Sequence, residues 1–133
     1  MAWVISGISV LGISLLALLP RAWANDPRVH GEIVALLGVV EQCGCAFMRN
    51  DSLFSSADAR KMLEHKLNDA LRAAGGVPST EHFIEKSASR SGTSGKPYMV
   101  HCGEAKPVES GPWLRGKLVE LRSAGKAPHT PPR

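Results

Sequence analysis

Three cysteines, two of them one residue apart, constrain the fold of this 133-residue chain more than any other feature. Cys43 and Cys45 stand in the stretch E-Q-C-G-C-A-F-M-R-N, and Cys102 follows more than fifty positions later in P-Y-M-V-H-C-G. In an exported protein, two of three cysteines usually oxidise to a disulfide and leave one thiol. The sequence therefore raises two questions: which cysteine pairs with Cys102, and whether the remaining thiol has a function.

Two predicted strands bear on the pairing. Residues 45–50 and 97–102 alternate as short strands do, and Pro97 excludes helix for the residue before it. Directly opposed residues in an antiparallel ladder have Cα atoms roughly 4.5–5.5 Å apart, which a disulfide tolerates. A ladder that sets Cys45 opposite Cys102 is therefore compatible with a bridge between them.

The side chains brought together by this register also favour it. It opposes Phe47 to Val100 and Arg49 to Tyr98, an apolar pair and a guanidinium beside a phenol ring. The alternative bridge from Cys43 slides the ladder by two residues and sets Arg49 against Lys96. We therefore favour Cys45–Cys102, and the Cys43 pairing stays open at this point.

The third cysteine permits two functional interpretations. Cys43 and Cys45 could form a redox pair, or a zinc site could be built from Cys43, Cys45, His101 and Cys102. C-x-C is not the C-x-x-C redox spacing, however, and neighbouring residues in a strand such as His101 and Cys102 point to opposite faces. We expect Cys43 to be a spare thiol or an intermolecular bridge, and we expect no metal and no cofactor.

The N-terminal residues 1–24 have the features of a signal peptide. An apolar run is followed by Pro20 and by Ala22-Trp23-Ala24, a small-x-small cleavage pattern. No Lys or Arg precedes the run, so an uncleaved anchor or a misassigned start stays open. Cleavage after Ala24 leaves about 109 residues, which we expect to form one domain at 25–123, a disordered tail at 124–133 and no stable membrane span.

Helical periodicity predicts the rest of the architecture. Four helices are expected, at residues 27–42, from the Ser55 cap to the Gly75-Gly76 stop, from a Ser79 or Thr80 cap to Arg90, and at 113–123. The predicted fold class is a small α+β domain, mainly helical, in which four helices surround a two-stranded antiparallel ribbon formed by 45–50 and 97–102.

Charge and motifs exclude several function classes. The formal net charge is +4, and it falls to about +3 without Arg21. Basic residues are unclustered and not interleaved with aromatic residues, so no nucleic acid is expected as a partner. The loop S-R-S-G-T-S-G-K-P has Arg90 and Pro97 where a phosphate-binding loop needs glycine and a hydroxyl residue. No set of acid, base and nucleophile is visible, and we expect no enzymatic activity.

Four stretches carry a family resemblance: C-A-F-M-R-N, A-R-K-M-L-E-H-K-L, F-I-E-K-S-A-S-R-S-G-T-S-G-K-P-Y-M-V and W-L. Over roughly residues 33–122 the chain resembles the YfeK-like family, small exported bacterial proteins classed as a domain of unknown function. The resemblance implies export, a bacterial source and a periplasmic or secreted location, and it lends no activity. Asp51, Phe54 and Met62 depart from it, standing where the family usually has Gly and often has Tyr and His. A left-handed turn at Asp51 is still accessible at some energetic cost.

The two most characteristic stretches of this resemblance contain the two predicted strands. We therefore expect a polar recognition surface at one end of the ribbon, formed by Arg49, Asn50, Ser89, Ser91, Lys96 and Tyr98. An alternative interpretation is that these groups only attach the loop to the sheet by hydrogen bonds. The expected function is a non-catalytic binding module of the cell envelope, for a partner protein or an anionic envelope component. A thiol-based redox or metal-linked factor using Cys43 and Cys45 is the alternative.

Overall fold

The computed structural model describes residues 25–125, so the expected signal peptide and residues 126–133 of the expected tail lie outside the described part. This part contains four helices and four strands. In chain order they are α1 (Pro27–Gln42), β1 (Ala46–Arg49), β2 (Ser52–Phe54), α2 (Ser56–Arg72), α3 (Thr80–Ser87), β3 (Met99–His101), β4 (Val108–Glu109) and α4 (Ser110–Ser123). The predicted α+β class is confirmed.

Side-chain caps fix the starts of the first three helices. The carboxylate of Asp26 accepts a hydrogen bond from the backbone N–H of Arg28 at 2.8 Å, and Pro27 occupies the first turn. Ser55 caps α2 and Ser79 caps α3 through their hydroxyls, each accepting from the backbone N–H three residues on. These contacts satisfy N–H groups that have no partner within the helix. They also settle the open choice for α3 in favour of Ser79.

The sheet is larger than the two-stranded ribbon expected from the sequence. Its four antiparallel strands have the order β2-β1-β3-β4, so the predicted pair forms the centre and two short strands form the edges. Phe47 opposes Val100 as predicted, and Cys45 is bonded to Cys102 with Cα atoms 4.3 Å apart. The bridge predicted from the register is confirmed.

The central ladder ends before Tyr98. The last paired residues are Met48 and Met99. The backbone N–H of Tyr98 donates instead to the carbonyl of Ser89 at 2.9 Å, and its carbonyl accepts from the N–H of Ser110 at 2.8 Å. Tyr98 therefore lies beside the sheet with its backbone bonded to other segments, and Arg49 is not its ladder partner.

A two-residue turn connects β1 to β2. Asn50 and Asp51 both have positive φ, 47° and 67°, which is the backbone of a type I′ hairpin turn. Asp51 thus adopts the left-handed conformation that the sequence left accessible to it. The hairpin sets Phe47 opposite Phe54 and Arg49 opposite Ser52.

The core lies between the inner face of the sheet and the four helices. Phe47 and Val100 face inward, and Trp113 meets the Phe47 ring edge-on at 5.9 Å. The buried helix positions are Ile33, Leu36, Leu37, Val40, Ala59, Leu63, Leu67, Phe83, Ile84, Leu114, Leu118 and Leu121. Within residues 25–125 no helix combines the length and apolar character that crossing a bilayer requires.

Candidate functional site

Three of the six predicted site residues, Asn50, Ser91 and Lys96, meet where the hairpin turn contacts the loop formed by residues 91–96. The side-chain amide of Asn50 donates to the hydroxyl of Ser91 at 3.0 Å, and its carbonyl oxygen accepts from the hydroxyl of Ser94. The backbone N–H of Ser91 donates to the carbonyl of Lys96 at 2.9 Å. The Lys96 side chain itself is exposed. These contacts attach residues 91–96 to the turn that follows Arg49.

Ser91 is the buried centre of this network. Only 3% of its surface is exposed, and its hydroxyl lies 2.9 Å from that of Thr93. It also accepts from the backbone N–H groups of Thr93 and Ser94, in the manner of an ST turn. With its hydroxyl used in this way, Ser91 holds the loop and is not directed toward solvent.

Ser89 occupies a separate position at the end of α3. Its hydroxyl donates to the carbonyl of Ile84 at 2.6 Å. It also lies against Gly111 in the first turn of α4, where a Cβ would come within 2.7 Å of the Ser89 hydroxyl oxygen. The Ser89 hydroxyl therefore bonds to the C-terminal end of α3, and the lack of a side chain at Gly111 lets the first turn of α4 pack against it.

Arg49 and Tyr98 do come together, at a cavity beneath β1. Tyr98 is 4% exposed, and its hydroxyl accepts a hydrogen bond from the ammonium of Lys66 at 2.8 Å. The same ammonium lies 5.1 Å from the centroid of the Tyr98 ring. The cavity holds about 20 Å³, enough for one water-sized group, and Met62 forms part of its wall.

Arg49 lacks an acceptor for one of its donors. Its Nε is buried and has no hydrogen-bond partner among the described residues, and its Nη1 contacts only the thioether sulfur of Met62, at 3.8 Å. A thioether is a weak acceptor. Within residues 25–125 no carboxylate forms an ion pair with Arg49 or with Lys66. A buried donor left without an acceptor costs about 1–3 kcal/mol.

We call the cavity, its lining residues Arg49, Met62 and Tyr98, and Lys66, which bonds to the Tyr98 hydroxyl, the Arg49 pocket. Sequence reasoning singled out Arg49 and Tyr98 and missed Met62 and Lys66 as site residues. The signal for the missed pair was their spacing, because residues four apart on a helix share a face. The strand that this face meets is set by tertiary packing alone.

The sulfur atoms form a second feature, at the end of α1. Cys43 is the free cysteine of the described residues and is partly buried. Its sulfur lies 3.0 Å from the carbonyl of Val40 and accepts from the backbone N–H of Cys45 at 3.3 Å. A groove beside it is lined by Val39, Gln42, Cys43, Cys45, Cys102, Trp113 and Lys117. The thiol and the disulfide therefore share one groove.

A buried ion pair forms the third polar feature, and sequence reasoning missed it. The carboxylate of Glu32 is 1% exposed and receives two hydrogen bonds from the guanidinium of Arg122, at 3.0 and 2.8 Å. The hydroxyl of Thr80 donates to the same carboxylate, and Glu81 pairs with Arg122. Hydrogen bonding to Glu32, and then to Glu81, raises the pKa of Arg122. The arrangement joins α1, α3 and α4 as a structural link.

Comparisons with known proteins give a family and no activity. Neither the curated proteins nor the solved structures include a significant match. In the part of the chain that the structure describes, no three His, Cys, Asp or Glu side chains are grouped closely enough to hold a metal ion. A family model described as a family of unknown function, DUF5329, matches residues 27–122, which covers the whole sheet and all four helices except the last residue of α4. The chain therefore belongs to this family of unknown function.

Proposed function

We propose that this protein is an exported, non-catalytic binding module of the bacterial cell envelope, and that the Arg49 pocket is its binding site. The ligand is a partner protein or an anionic component of the envelope. The proposed site is centred on Arg49, whereas the polar surface expected from the sequence also included the loop residues. Asn50, Ser91 and Ser94 hold the loop and the turn, and Arg49 is the group that contacts the ligand.

The buried Nε of Arg49 carries the proposal. Among residues 25–125, Arg28, Arg60, Arg72 and Arg122 pair with carboxylates, and Arg90 and Arg115, which do not, are exposed to solvent. Arg49 has a thioether and an unpaired donor. Buried polar groups in folded proteins are almost always paired, and one that is not calls for a specific explanation, such as a functional role or a bound water or ion. An external acceptor at Arg49 would complete its hydrogen bonding.

Three observations support export. Residues 1–24 have the pattern of a cleaved signal peptide. The disulfide between Cys45 and Cys102 is of a type that persists in oxidising compartments such as the periplasm. The narrower resemblance to the YfeK-like family, which we retain as a proposal, implies a bacterial source and the same location.

A capture experiment tests the proposed function. The purified protein is crosslinked to components of a bacterial envelope extract, and captured species are quantified for wild type, Arg49→Ala and Arg115→Ala. Arg115 is exposed on α4 and serves as the matched control. Capture should fall about tenfold or more for Arg49→Ala, the loss typical of truncating a central interface arginine, and should stay unchanged for Arg115→Ala. Equal capture by folded Arg49→Ala and wild type would rule the site out.

A thiol-based role is the second candidate, and the shared groove of Cys43 and the Cys45–Cys102 disulfide favours it. Attack of the Cys43 thiolate on the bridge would form a new disulfide and release either Cys45 or Cys102 as a thiolate. Intact mass and thiol counting test this role. A single, slowly alkylated thiol supports the binding module, whereas rapid alkylation with exchange among the three cysteines supports the redox role. A metal-linked variant loses two of its four expected ligands to the disulfide.

A further inference from the structure

The outer face of the sheet, which points away from the core, is accessible from solvent. Residues alternate between the two faces along a strand, and Phe47 of β1 and Val100 of β3 are buried on the inner face. Their strand neighbours Met48 and Met99 therefore lie on the outer face, and both are partly exposed. Leu53 of β2 is the ladder partner of Met48 on this face and is 71% exposed. A ligand can therefore approach the two methionines from solvent.

Two thioethers and one imidazole come together on this outer face. Met48 is the direct ladder partner of Met99, and His101 follows Met99 two residues later on β3. Directly opposed residues in an antiparallel ladder have Cβ atoms about 4.5–5.5 Å apart, and diagonal neighbours such as Met48 and His101 are about 7–8 Å apart. Ala46 stands opposite His101, and its small side chain leaves the space beside the imidazole open. Because methionine is long and flexible, both sulfurs can reach the imidazole.

The three side chains have no polar contacts within the described part of the protein. Neither thioether sulfur nor the imidazole of His101 has a hydrogen-bond or ion-pair partner among residues 25–125. Met62 differs from them, since its sulfur accepts from Arg49 at 3.8 Å. A pair of methionines alone would be ordinary apolar packing across two strands. The partly exposed imidazole beside the pair adds a nitrogen donor that packing does not require.

The chemistry of the donors selects the kind of metal ion. Thioether sulfur is a soft ligand that favours Cu(I), and imidazole also suits copper. A structural zinc site needs four ligands, drawn mainly from cysteine, histidine and carboxylates. The outer face offers one imidazole and the exposed carboxylate of Glu109, the ladder partner of Met99. Within residues 25–125 no three His, Cys, Asp or Glu side chains are grouped for a metal ion. The donor set therefore favours a soft ion over zinc.

We propose that Met48, Met99 and His101 form a binding site for a soft monovalent metal ion of the Cu(I) class, held by two thioether sulfurs and one imidazole nitrogen. The ion binds without a change in its oxidation state. The site lies on the opposite face of the sheet from the Arg49 pocket, so the inference goes beyond the proposed function and does not depend on it. The ladder register places two of the three ligands directly opposite each other before the ion arrives.

Nuclear magnetic resonance of the methionine methyl groups tests the proposal with silver nitrate, because Ag(I) shares the ligand preference of Cu(I) and is stable in air. The Cys43 thiol also binds soft ions, so the titration uses Cys43→Ser in chloride-free buffer, with wild type in parallel. Silver should shift the Met48 and Met99 methyl signals and the His101 ring signals saturably, and it should leave the Met62 signal in place. Cu(I) kept reduced with ascorbate should give the same pattern. Zinc acetate should leave all the methyl signals unshifted.

Variants in the Cys43→Ser background assign the ligands. Met48→Leu and Met99→Leu keep an apolar side chain and remove the sulfur. Each should raise the Kd for silver at least about tenfold, since even the outer-shell partners of a metal ion are worth that much. His101→Asn should have the same effect, whereas His82→Asn, at an exposed position on α3, should leave the Kd unchanged. Circular dichroism checks that each variant is folded. As a second measurement, silver should raise the unfolding temperature of the parent and not that of the double variant Met48→Leu, Met99→Leu.

Several outcomes overturn the proposal. An unchanged Kd for silver in both leucine variants would show that the methionines serve only as apolar packing. Equal losses for His101→Asn and His82→Asn would show unspecific binding to surface histidines. Methyl shifts with zinc as large as those with silver would remove the preference for a soft ion. Binding of silver only when Cys43 is present would assign the ion to the thiol. Capture through Arg49 is measured on the other face of the sheet, so either proposal can fail while the other stands.

Discussion

Glu32 in α1 and Arg122 in α4 form a bidentate contact across ninety residues of sequence, with both hydrogen bonds at or below 3.0 Å. The carboxylate is buried, and the guanidinium side chain is 37% exposed. Thr80 of α3 donates to the same carboxylate. The Glu32 carboxylate therefore links α1 to α3 and α4 through hydrogen bonds.

Replacing Arg122 by alanine should destabilise the protein by about 3–5 kcal/mol, because it removes the guanidinium that makes two hydrogen bonds to the buried Glu32 carboxylate. Urea denaturation monitored by circular dichroism measures this change. Arg72→Ala is the matched control, since Arg72 pairs with Asp69 at the surface, and it should cost less than about 1 kcal/mol. Equal losses for the two variants would contradict a structural role of the buried pair.

The pH dependence of the same variant follows from the raised pKa of Arg122. A cation with a raised pKa in the folded protein contributes stability at every pH below its unfolded value, and that stability is lost only as the pH rises through the folded value. The stability difference between wild type and Arg122→Ala should therefore be the same at about pH 7 and about pH 10. A difference that shrinks over this range would show that the arginine pairs less strongly than the geometry indicates.

Removing the disulfide should lower stability by about 4 kcal/mol, because the bridge closes a loop across 57 positions. The double variant Cys45→Ala, Cys102→Ala is compared with wild type by urea denaturation, and wild type is also measured with reductant. Cys43→Ser is the control and should change stability by less than about 1 kcal/mol, since its sulfur makes only weak contacts. A larger effect of Cys43→Ser than of the double variant would argue that Cys43 takes part in the bridge.

Asp51→Gly should stabilise the protein by about 0.5–1 kcal/mol, because glycine adopts a φ of 67° without the steric cost of a Cβ. The side chain of Asp51 is exposed and makes no hydrogen bond or ion pair with other residues of 25–125, so little is lost. Asp51→Ala keeps a Cβ at this position and should give no gain. Thermal unfolding of both variants checks the prediction, which fails if alanine stabilises as much as glycine.

Gly111→Ala should destabilise the protein by about 1–3 kcal/mol, since its Cβ would lie 2.7 Å from the hydroxyl oxygen of Ser89. In a Ser89→Ala background the oxygen is absent and the contact at 3.3 Å to the Cβ of residue 89 remains, so the same change should cost less. A double-mutant cycle measured by urea denaturation gives this coupling. Additive losses would show that the two positions do not touch.

Arg49→Met should leave stability unchanged or raise it by about 1 kcal/mol, because it removes a buried donor without an acceptor and keeps an apolar side chain over the cavity. Most arginines in a folded domain would not behave this way. Arg60→Met, which removes the ion pair with Glu41, is the control and should not stabilise. A clear loss of stability for Arg49→Met would indicate that Arg49 is retained for packing.

The parts of the fold that followed from sequence are those set by local chemistry. The capped α2 and the Cys45–Cys102 register needed only periodicity, capping residues and cross-strand pairing. β2 was missed although Asn50 and Asp51 are turn formers, and β4, with two residues, is too short to show alternation. The edges of the sheet therefore came from the structure.

Likewise, only some residues of the candidate site could be predicted from the sequence. Arg49 and Tyr98 were selected because the two most characteristic stretches of the family resemblance contain the two predicted strands. Lys66 and Met62 join them only because α2 packs against β1, which no local pattern records. In the sequence, Glu32 is a charged residue beside the apolar positions of α1, and nothing local predicts its burial. Its hydrogen bonds to Arg122 of the last helix explain why the carboxylate can be buried.

Asn50 has two structural roles. Its backbone forms part of the hairpin turn, and its side-chain amide is hydrogen-bonded to Ser91 and Ser94. It is also the immediate neighbour of Arg49. A substitution in the distant serine-rich loop would thus reach the backbone beside the guanidinium through a single side-chain amide, although that loop lies more than forty residues further along the chain.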